Sequence, residues 1–427
     1  MTRLLALVAA ALFSAAPLAH RSLGEAEADV RMVEAAGEAA KYWPRWRGPS
    51  GQGLVAGGAY TDTWSPTASV WKTTVPGRGN SSPIVWGDRI FLTTGYGNGE
   101  RLSMLAYSRG DGKQLWETFI PQTGVEYVHD KNGFASATPT TDGKLVYASF
   151  GRHGLFAFDF TGKIVWQHKF GIIDNYHGPA GSPVLYKDRI FIYQDANPAP
   201  GQTAFVGAFD KATGKPIWQT PRRESVGWGT AVVITTGERD ELIVSSQRRV
   251  AAYDPDTGKE LWTARGMSSE VIPTPVVGHG LVFASSGRAG PTLAIRPGGT
   301  GDVTSTHVAW SSPRGSPFVP SGILVGDLLY LINDMQSILT VYEAATGKLV
   351  YQDRLGTAVR EGFSASPVHV NGKVFLTNDD GQTFVVEAGR TFKLLRVNEL
   401  GEQTLASPAL VDGTWYWRTG STLRAIK

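Results

Sequence analysis

The chain contains no cysteine in its 427 residues. Disulfides are therefore excluded, and a body of this size has to be held by its hydrophobic core and by the closure of its own architecture. A lipid attached to a cysteine behind a leader is excluded too. Long apolar runs are also missing: beyond Leu4 to Phe13, nothing approaches the ~20 residues that a membrane-spanning helix needs. Charge of one sign is not in excess, since 41 Lys and Arg stand against 38 Asp and Glu, a net +3. No Lys/Arg stripe follows a phosphate backbone, so a nucleic-acid partner is not expected. There is no Gly-x-Ser-x-Gly elbow, no phosphate-binding Gly-x-x-x-x-Gly-Lys and no metal-motif spacing. Asp379-Asp380-Gly381 lacks the further oxygen ligands and the distant Glu of a calcium loop, and reads as a turn.

What the chain has in abundance is turn and aromatic residues: 51 glycines, 24 prolines and 13 tryptophans, with 42% hydrophobic residues. This composition describes a turn-dense β-protein with a large core. Arg3 and the apolar run Leu4 to Phe13, followed by Ser14, Ala15, Ala16 and Ala19, have the form of an export signal over residues 1–19. The expected location is periplasmic or extracellular. Residues 20–41 are rich in Ala and Glu without an apolar stripe, and are expected to be a flexible linker. In residues 42–67, Trp43-Pro44-Arg45-Trp46-Arg47-Gly48-Pro49 is expected to lay its rings across one face of the body. Its arginines read as staples stacked on tryptophan, with anion binding as the other use.

The remainder, 68–427, is built from a repeat. Ala252-Tyr253-Asp254-Pro255-Asp256-Thr257-Gly258-Lys259-Glu260-Leu261-Trp262 has counterparts ending at Trp116, Trp166, Trp218 and Tyr351. The last-strand aromatics Trp71, Trp116, Trp166, Trp218, Trp262, Trp310 and Tyr351 recur roughly every 41 to 52 residues, which is the spacing of propeller blades. Each unit opens with a small residue and proline, as at Ser82-Pro83, Thr138-Pro139, Ser182-Pro183, Thr274-Pro275, Ser366-Pro367 and Ser407-Pro408. Turns such as Asn371-Gly372 and Asp412-Gly413 suit two-residue hairpins. The fold class is therefore all-β: a single β-propeller of about eight four-stranded blades, seven being the alternative. Trp71 has no first half before it and the C-terminal fragment has no last strand. The strand around Val70 to Val75 is thus expected to close the ring.

The repeat itself is structural. Small glycines at 112, 162, 214, 258 and 347 (Gly112, Gly162, Gly214, Gly258, Gly347) let the indoles lie flat between blades, each burying on the order of 150 to 250 Å². The aspartates hold their own turns.

This Ala-x-Asp-x-x-Thr-Gly-x-x-x-Trp pattern resembles the tryptophan-docking repeat of the pyrroloquinoline-quinone (PQQ) dehydrogenase propellers, which recurs in BamB-type scaffold propellers. The resemblance runs from Trp43 to Lys427. It implies one of two functions. The first is a monomeric, non-catalytic module, without cofactor, that binds a protein, glycan or small ligand. The second is an oxidoreductase using PQQ and calcium on an alcohol or sugar; this would need a stacking aromatic floor and carboxylate ligands that no motif here assigns, and the cysteine pair common in such enzymes is missing.

In a propeller, the segments entering the innermost strands converge at one end of the channel. The candidate contact residues there are Glu126, His129, Asp130, Asn132, His177, Trp228, Glu270, Arg360 and Glu361. Two imidazoles and a carboxylate, His129, His177 and Asp130, are the best transition-metal set among them, though they more often cap strands. No catalytic residue and no metal ligand is assigned.

Overall fold

The computed structural model describes residues 30–427 except 123, 126, 172–174, 198–203, 225 and 357–361. Glu126, Arg360 and Glu361 thus lie outside the described residues, as do the export signal and residues 20–29 of the linker.

Eight sheets follow one another along the chain, each built on four antiparallel strands in radial order; the fourth gains a short strand at either edge and so has six. They form blades 1 (84–119), 2 (140–168), 3 (184–222), 4 (232–265), 5 (276–312), 6 (323–354), 7 (368–399) and 8 (409–426). The eighth has three strands of its own, and Trp71–Thr74 supplies the fourth, pairing antiparallel with Thr422–Ile426 in the register Trp71 to Ala425. Glu402 locks this seam: one carboxylate oxygen meets Lys72 and lies 2.8 Å from Arg424 Nη2, and the other accepts from Thr422 Oγ1 at 3.0 Å. The inner hairpins turn on left-handed pairs, Asn371-Gly372 (φ 52°, 71°) and Asp412-Gly413 (φ 49°, 75°).

The opening hydroxyls do more than begin strands. The backbone N–H of Ser82 donates to Thr138 Oγ1, Thr138 to Ser182 Oγ, Ser182 to Thr230 Oγ1 and Thr230 to Thr274 Oγ1. From there Thr274 donates to Ser321 Oγ, Ser321 to Ser366 Oγ, Ser366 to Ser407 Oγ, and Ser407 back to Ser82 Oγ. All of these bonds span 2.8 to 3.2 Å. One residue from every blade takes part, and the circle is closed.

The periphery carries a second set of links. Trp218 donates its Nε1 to Pro255 O of the next blade at 3.1 Å. Its ring covers Gly258, where a Cβ would lie 2.4 Å away. Trp71, Trp116, Trp166 and Trp310 dock in the same way on Gly112, Gly162, Gly214 and Gly347. The turn aspartates do what the repeat implies: Asp254 Oδ1 accepts from the N–H groups of Asp256 and Thr257.

Two of the expected docking residues behave differently. Trp262 is fully buried and donates to Glu241 Oε2 of its own blade at 2.7 Å. Blade 5 has no Thr-Gly-Lys turn to receive it; instead Gly301–Asp302 pairs parallel to Trp262 and Thr263. Tyr351 faces Phe392 (ring centroids 5.9 Å apart) because the turn of blade 7 brings no glycine under it.

The N-terminal arm differs from the linker expectation over its described part. Arg31–Met32 pairs with the inner strand of blade 4, and Gly37–Lys41 forms a 3-10 helix. Val30 and Met32 fill an apolar cluster between blades 4 and 5, which is what orders the segment. The arm then crosses the ring. Trp43 exchanges backbone bonds with Val85 of blade 1, and Pro44 O accepts from Thr141 of blade 2. Gln52 Oε1 reaches Val277 of blade 5 at 2.7 Å, and Gly53 and Val55 pair with His369 of blade 7. Finally, Trp64 stacks on Phe375 and packs against Trp415 and Trp417. A segment tied to blades 1 and 2 and then to blades 5 and 7 has to pass over the axis. Among the described residues no helix is long and apolar enough to cross a membrane.

Two outcomes follow from these links. Thr138→Val keeps the shape but leaves the Ser82 N–H without its acceptor in a buried ring; a loss of about 1–3 kcal/mol is expected in denaturant unfolding. The cations and hydroxyls around Glu402 outweigh its burial and hold its carboxyl down at about 2. Its contribution is therefore present above the ordinary carboxyl range and lost as pH falls through about 2. Glu402→Gln should lower Tm at pH 7, and the difference from the parent should disappear toward pH 2.

Candidate functional site

On the side where the chain enters the inner strands, the channel opens into a cavity of about 270 Å³. Seven of the eight ring hydroxyl residues line it, Ser321 being the one that does not. Each ring oxygen accepts a neighbouring N–H, and among the described residues none of the eight hydroxyls donates to a protein acceptor, so the seven in the lining can offer their hydrogens to the lumen. Trp46, on the arm, forms part of the wall, so the cavity ends where the arm crosses the axis.

The loop between blades 1 and 2 and the loop between blades 2 and 3 build the most elaborate part of the rim. His129 N–H bonds His177 O, and Asn132 Nδ2 donates to the same carbonyl at 2.7 Å and to Pro179 O at 3.2 Å. The two imidazoles meet edge to face, their centroids 4.9 Å apart. His177 also lies 5.2 Å from Trp228, whose Nε1 is held by Asn175 Oδ1 and Gly178 O, both at 2.9 Å. Burial, and then the neighbouring His129, push the His177 pKa down, so the ring is held toward its neutral form.

Of the expected residues, His129, Asn132, His177 and Trp228 line the cavity together. Glu270 stands just behind. Its Oε1 accepts from Tyr176 at 3.2 Å and from Arg288 Nη2 at 3.1 Å, and Arg288 Nε meets its other oxygen. Burial and this carboxylate raise the Tyr176 hydroxyl to about 12. Asp130 does not join the histidines: it is not part of the lining, and its backbone carbonyl receives Arg78. Among the described residues no three His, Asp or Glu side chains form a metal-holding group.

Sequence reading missed Trp46, Lys131, Arg288 and Phe318. Arg288 follows the second strand of its blade rather than preceding the first, so a search upstream of the Ser/Thr-Pro openings passes over it. Trp46 comes from the arm, and only the crossing brings it to the axis. Lys131 sits in the same loop as His129, and that adjacency was the available signal; it is paired with Asp379 at 2.8 Å.

Among the described residues the donor set does not fit a PQQ–calcium centre. Trp228, the indole among the expected rim residues, is flanked by His177 and by Tyr176, the latter edge to face at 5.4 Å. Glu270, a carboxylate among the same expected residues, is engaged by a guanidinium and a phenol, and no group of three or more His, Asp or Glu forms there among the described residues.

The closed ring of four-stranded blades, its docked tryptophans and its axial cavity define a β-propeller of PQQ-like repeats. The chain belongs to the family of the outer membrane protein assembly factor BamB, whose sequence profile matches residues 63–197 and 202–421. It is similar to tetrathionate hydrolase of Acidithiobacillus ferrooxidans, with 23% identity over 96% of this chain and 78% of that protein. It is also similar to BamB of Burkholderia pseudomallei, 25% identical over 62% of this chain and 63% of that one. Among solved structures, BamB from Moraxella catarrhalis superposes with a TM-score of 0.61 at 14% identity, covering 84% of this chain and 99% of that one. A europium-containing methanol dehydrogenase gives 0.67 at 12% identity, covering 88% and 89%. At these identities the two superpositions establish the fold.

Behind the cavity wall, Asp334 accepts the Phe318 N–H at 2.6 Å, and burial raises its carboxyl to about 6. A raised acid contributes stability while it is protonated and loses that contribution as pH rises through its folded value. Asp334→Asn should therefore raise stability at pH 8, on the order of 1–3 kcal/mol, and leave it nearly unchanged at pH 4, as read from unfolding at the two pH values.

Proposed function

We propose that this propeller is an exported, non-catalytic binding module that engages a small molecule, a glycan or a segment of a partner protein at the axial cavity. The observation that carries this reading is the lining: among the described residues, two indoles, two imidazoles, Asn80, Asn132 and seven ring hydroxyl residues line the cavity, and no carboxylate does. Such a wall offers flat apolar faces and directional hydrogen bonds, the two components of ligand orientation in a pocket. It does not pair a nucleophile with a base. The nearest acid, Glu270, is committed to Arg288 and Tyr176, and the imidazoles stack on each other and on Trp228. Membership of a family named for an assembly factor agrees with a binding role. The hydrolase relative supplies a second direction: hydrolysis calls for a general base facing the cavity, and His177, held toward its neutral form with Glu270 Oε1 3.9 Å from its Nε2, is the residue that would serve. Export rests on the apolar run Leu4 to Phe13 with Arg3 before it.

The test is a thermal-shift screen of the purified protein against mono- and oligosaccharides and small organic acids, followed by calorimetry of any hit. His129→Ala and His177→Ala should each weaken binding about tenfold, equivalent to ~1.4 kcal/mol, with Tm within about 2 °C of the parent, roughly the noise of a surface change. Equal losses of binding and stability would assign both histidines to the rim's architecture. Dye reduction after reconstitution with PQQ and Ca²⁺, using alcohols or sugars as donors, would overturn the non-catalytic reading.

A further inference from the structure

Of the two arginines of Trp43-Pro44-Arg45-Trp46-Arg47-Gly48-Pro49, Arg45 is half-buried and Arg47 fully buried, and they are served very differently. Arg45 donates its Nη2 to Val33 O and Pro49 O, both at 2.8 Å, and its Nε to Gly48 O at 3.2 Å. Glu34 stands nearby as its countercharge. That is a staple, made through backbone carbonyls rather than by the expected stacking on tryptophan. Arg47 is 2% exposed and donates only its Nη2, to Gln52 O and Gly322 O at 2.7 Å. Its Nε and Nη1 are buried with no hydrogen-bond partner. No carboxylate offsets its charge, and burial alone pulls its pKa down to about 9, which still leaves it cationic at neutral pH.

A buried guanidinium with unmet donors and no countercharge is among the most costly arrangements a fold can keep. Here the backbone adds to the cost, because Arg47 is a non-glycine residue held at φ 62°. Its position is where such a charge would be useful. Gly322, its acceptor, directly follows ring residue Ser321, itself 1% exposed with a hydroxyl that accepts from Thr274 and donates to no protein group. Trp46, which lines the cavity, has its ring centroid 5.9 Å from the guanidinium carbon, while Arg47 itself is not part of the lining.

We infer that the closed end of the channel is a binding site for one small inorganic anion of chloride size, held by Arg47 Nε and Nη1. The anion completes the set of hydrogen bonds and supplies the missing charge, so that the arm crosses the axis as an anion-loaded plug. The site is distinct from the ligand cavity, whose lining does not include Arg47, and it stands or falls independently of the function proposed there.

The test uses the whole protein. Thermal unfolding is followed while chloride replaces gluconate at constant ionic strength, and crystals are soaked in bromide for anomalous diffraction. The expected results are a Tm that climbs by about 2 °C per tenfold rise in chloride above the dissociation constant, and a bromide peak in contact with Arg47. Arg47→Met, which keeps the stem and removes the charge, should abolish the chloride dependence; Arg47→Lys should weaken it. If Arg47→Met does not fold, the bromide map of the parent protein decides alone. Bromide confined to the surface, or the same chloride dependence in parent and Arg47→Met, would overturn the inference and leave water as the partner of Arg47.

Discussion

The circle of hydroxyl-to-amide bonds from Ser82 through Thr138, Ser182, Thr230, Thr274, Ser321, Ser366 and Ser407 and back to Ser82 is what the rest of the molecule is arranged around. At the axis eight chains converge, and each brings an N–H that has no sheet partner at the start of its strand. Leaving such donors buried and unpaired costs more than the bonds themselves return. A one-carbon hydroxyl solves the problem sideways, because it reaches the next blade without filling the lumen. The proline that follows in most blades keeps the residue extended, which aims the side chain along the circumference. Because every member is both donor and acceptor, the ring exists only when all the blades are present. The seam between Trp71–Thr74 and Thr422–Ile426 is therefore a condition of the axis as well as of the rim.

The docked indoles do the complementary work at larger radius. Blades diverge outward, and the space between them has to be filled by something flat and wide. An indole against a glycine at positive φ, such as Trp218 on Gly258 or Trp166 on Gly214, fills it with no Cβ in the way. Polar links at the axis and apolar wedges at the edge together hold a ring that has no disulfide.

The cavity inherits its character from this architecture. Its hydroxyl lining is the ring itself, and its histidine, asparagine and tryptophan side chains come from segments that do not repeat. The arm then makes a through-channel into a pocket, with Trp46 as wall and Arg47 behind it. The non-repeating side chains His129, His177 and Trp228 are thereby gathered at one mouth of the channel.

Most of the fold was legible in the chain because each blade repeats the same local chemistry: the Asp that caps its turn, the glycine under the indole, the Ser/Thr-Pro opening, and the strand at Trp71 left without a first half. Eight blades rather than seven, and the meeting of His129, Asn132, His177 and Trp228, agree with that reading. The exceptions come from contacts that the repeat does not encode. Trp262 turns to Glu241 of its own blade, Tyr351 to Phe392 of the next, and Arg31–Met32 joins blade 4 from the arm. The separation of Asp130 from the histidines, the capture of Glu270 by Arg288, and the placing of Trp46 and Arg47 at the axis have the same origin. Periodic patterns express interactions between adjacent blades, and those recur at a fixed spacing. Contacts across the ring axis occur once each, between segments with no fixed spacing, so only the closed tertiary structure decides them.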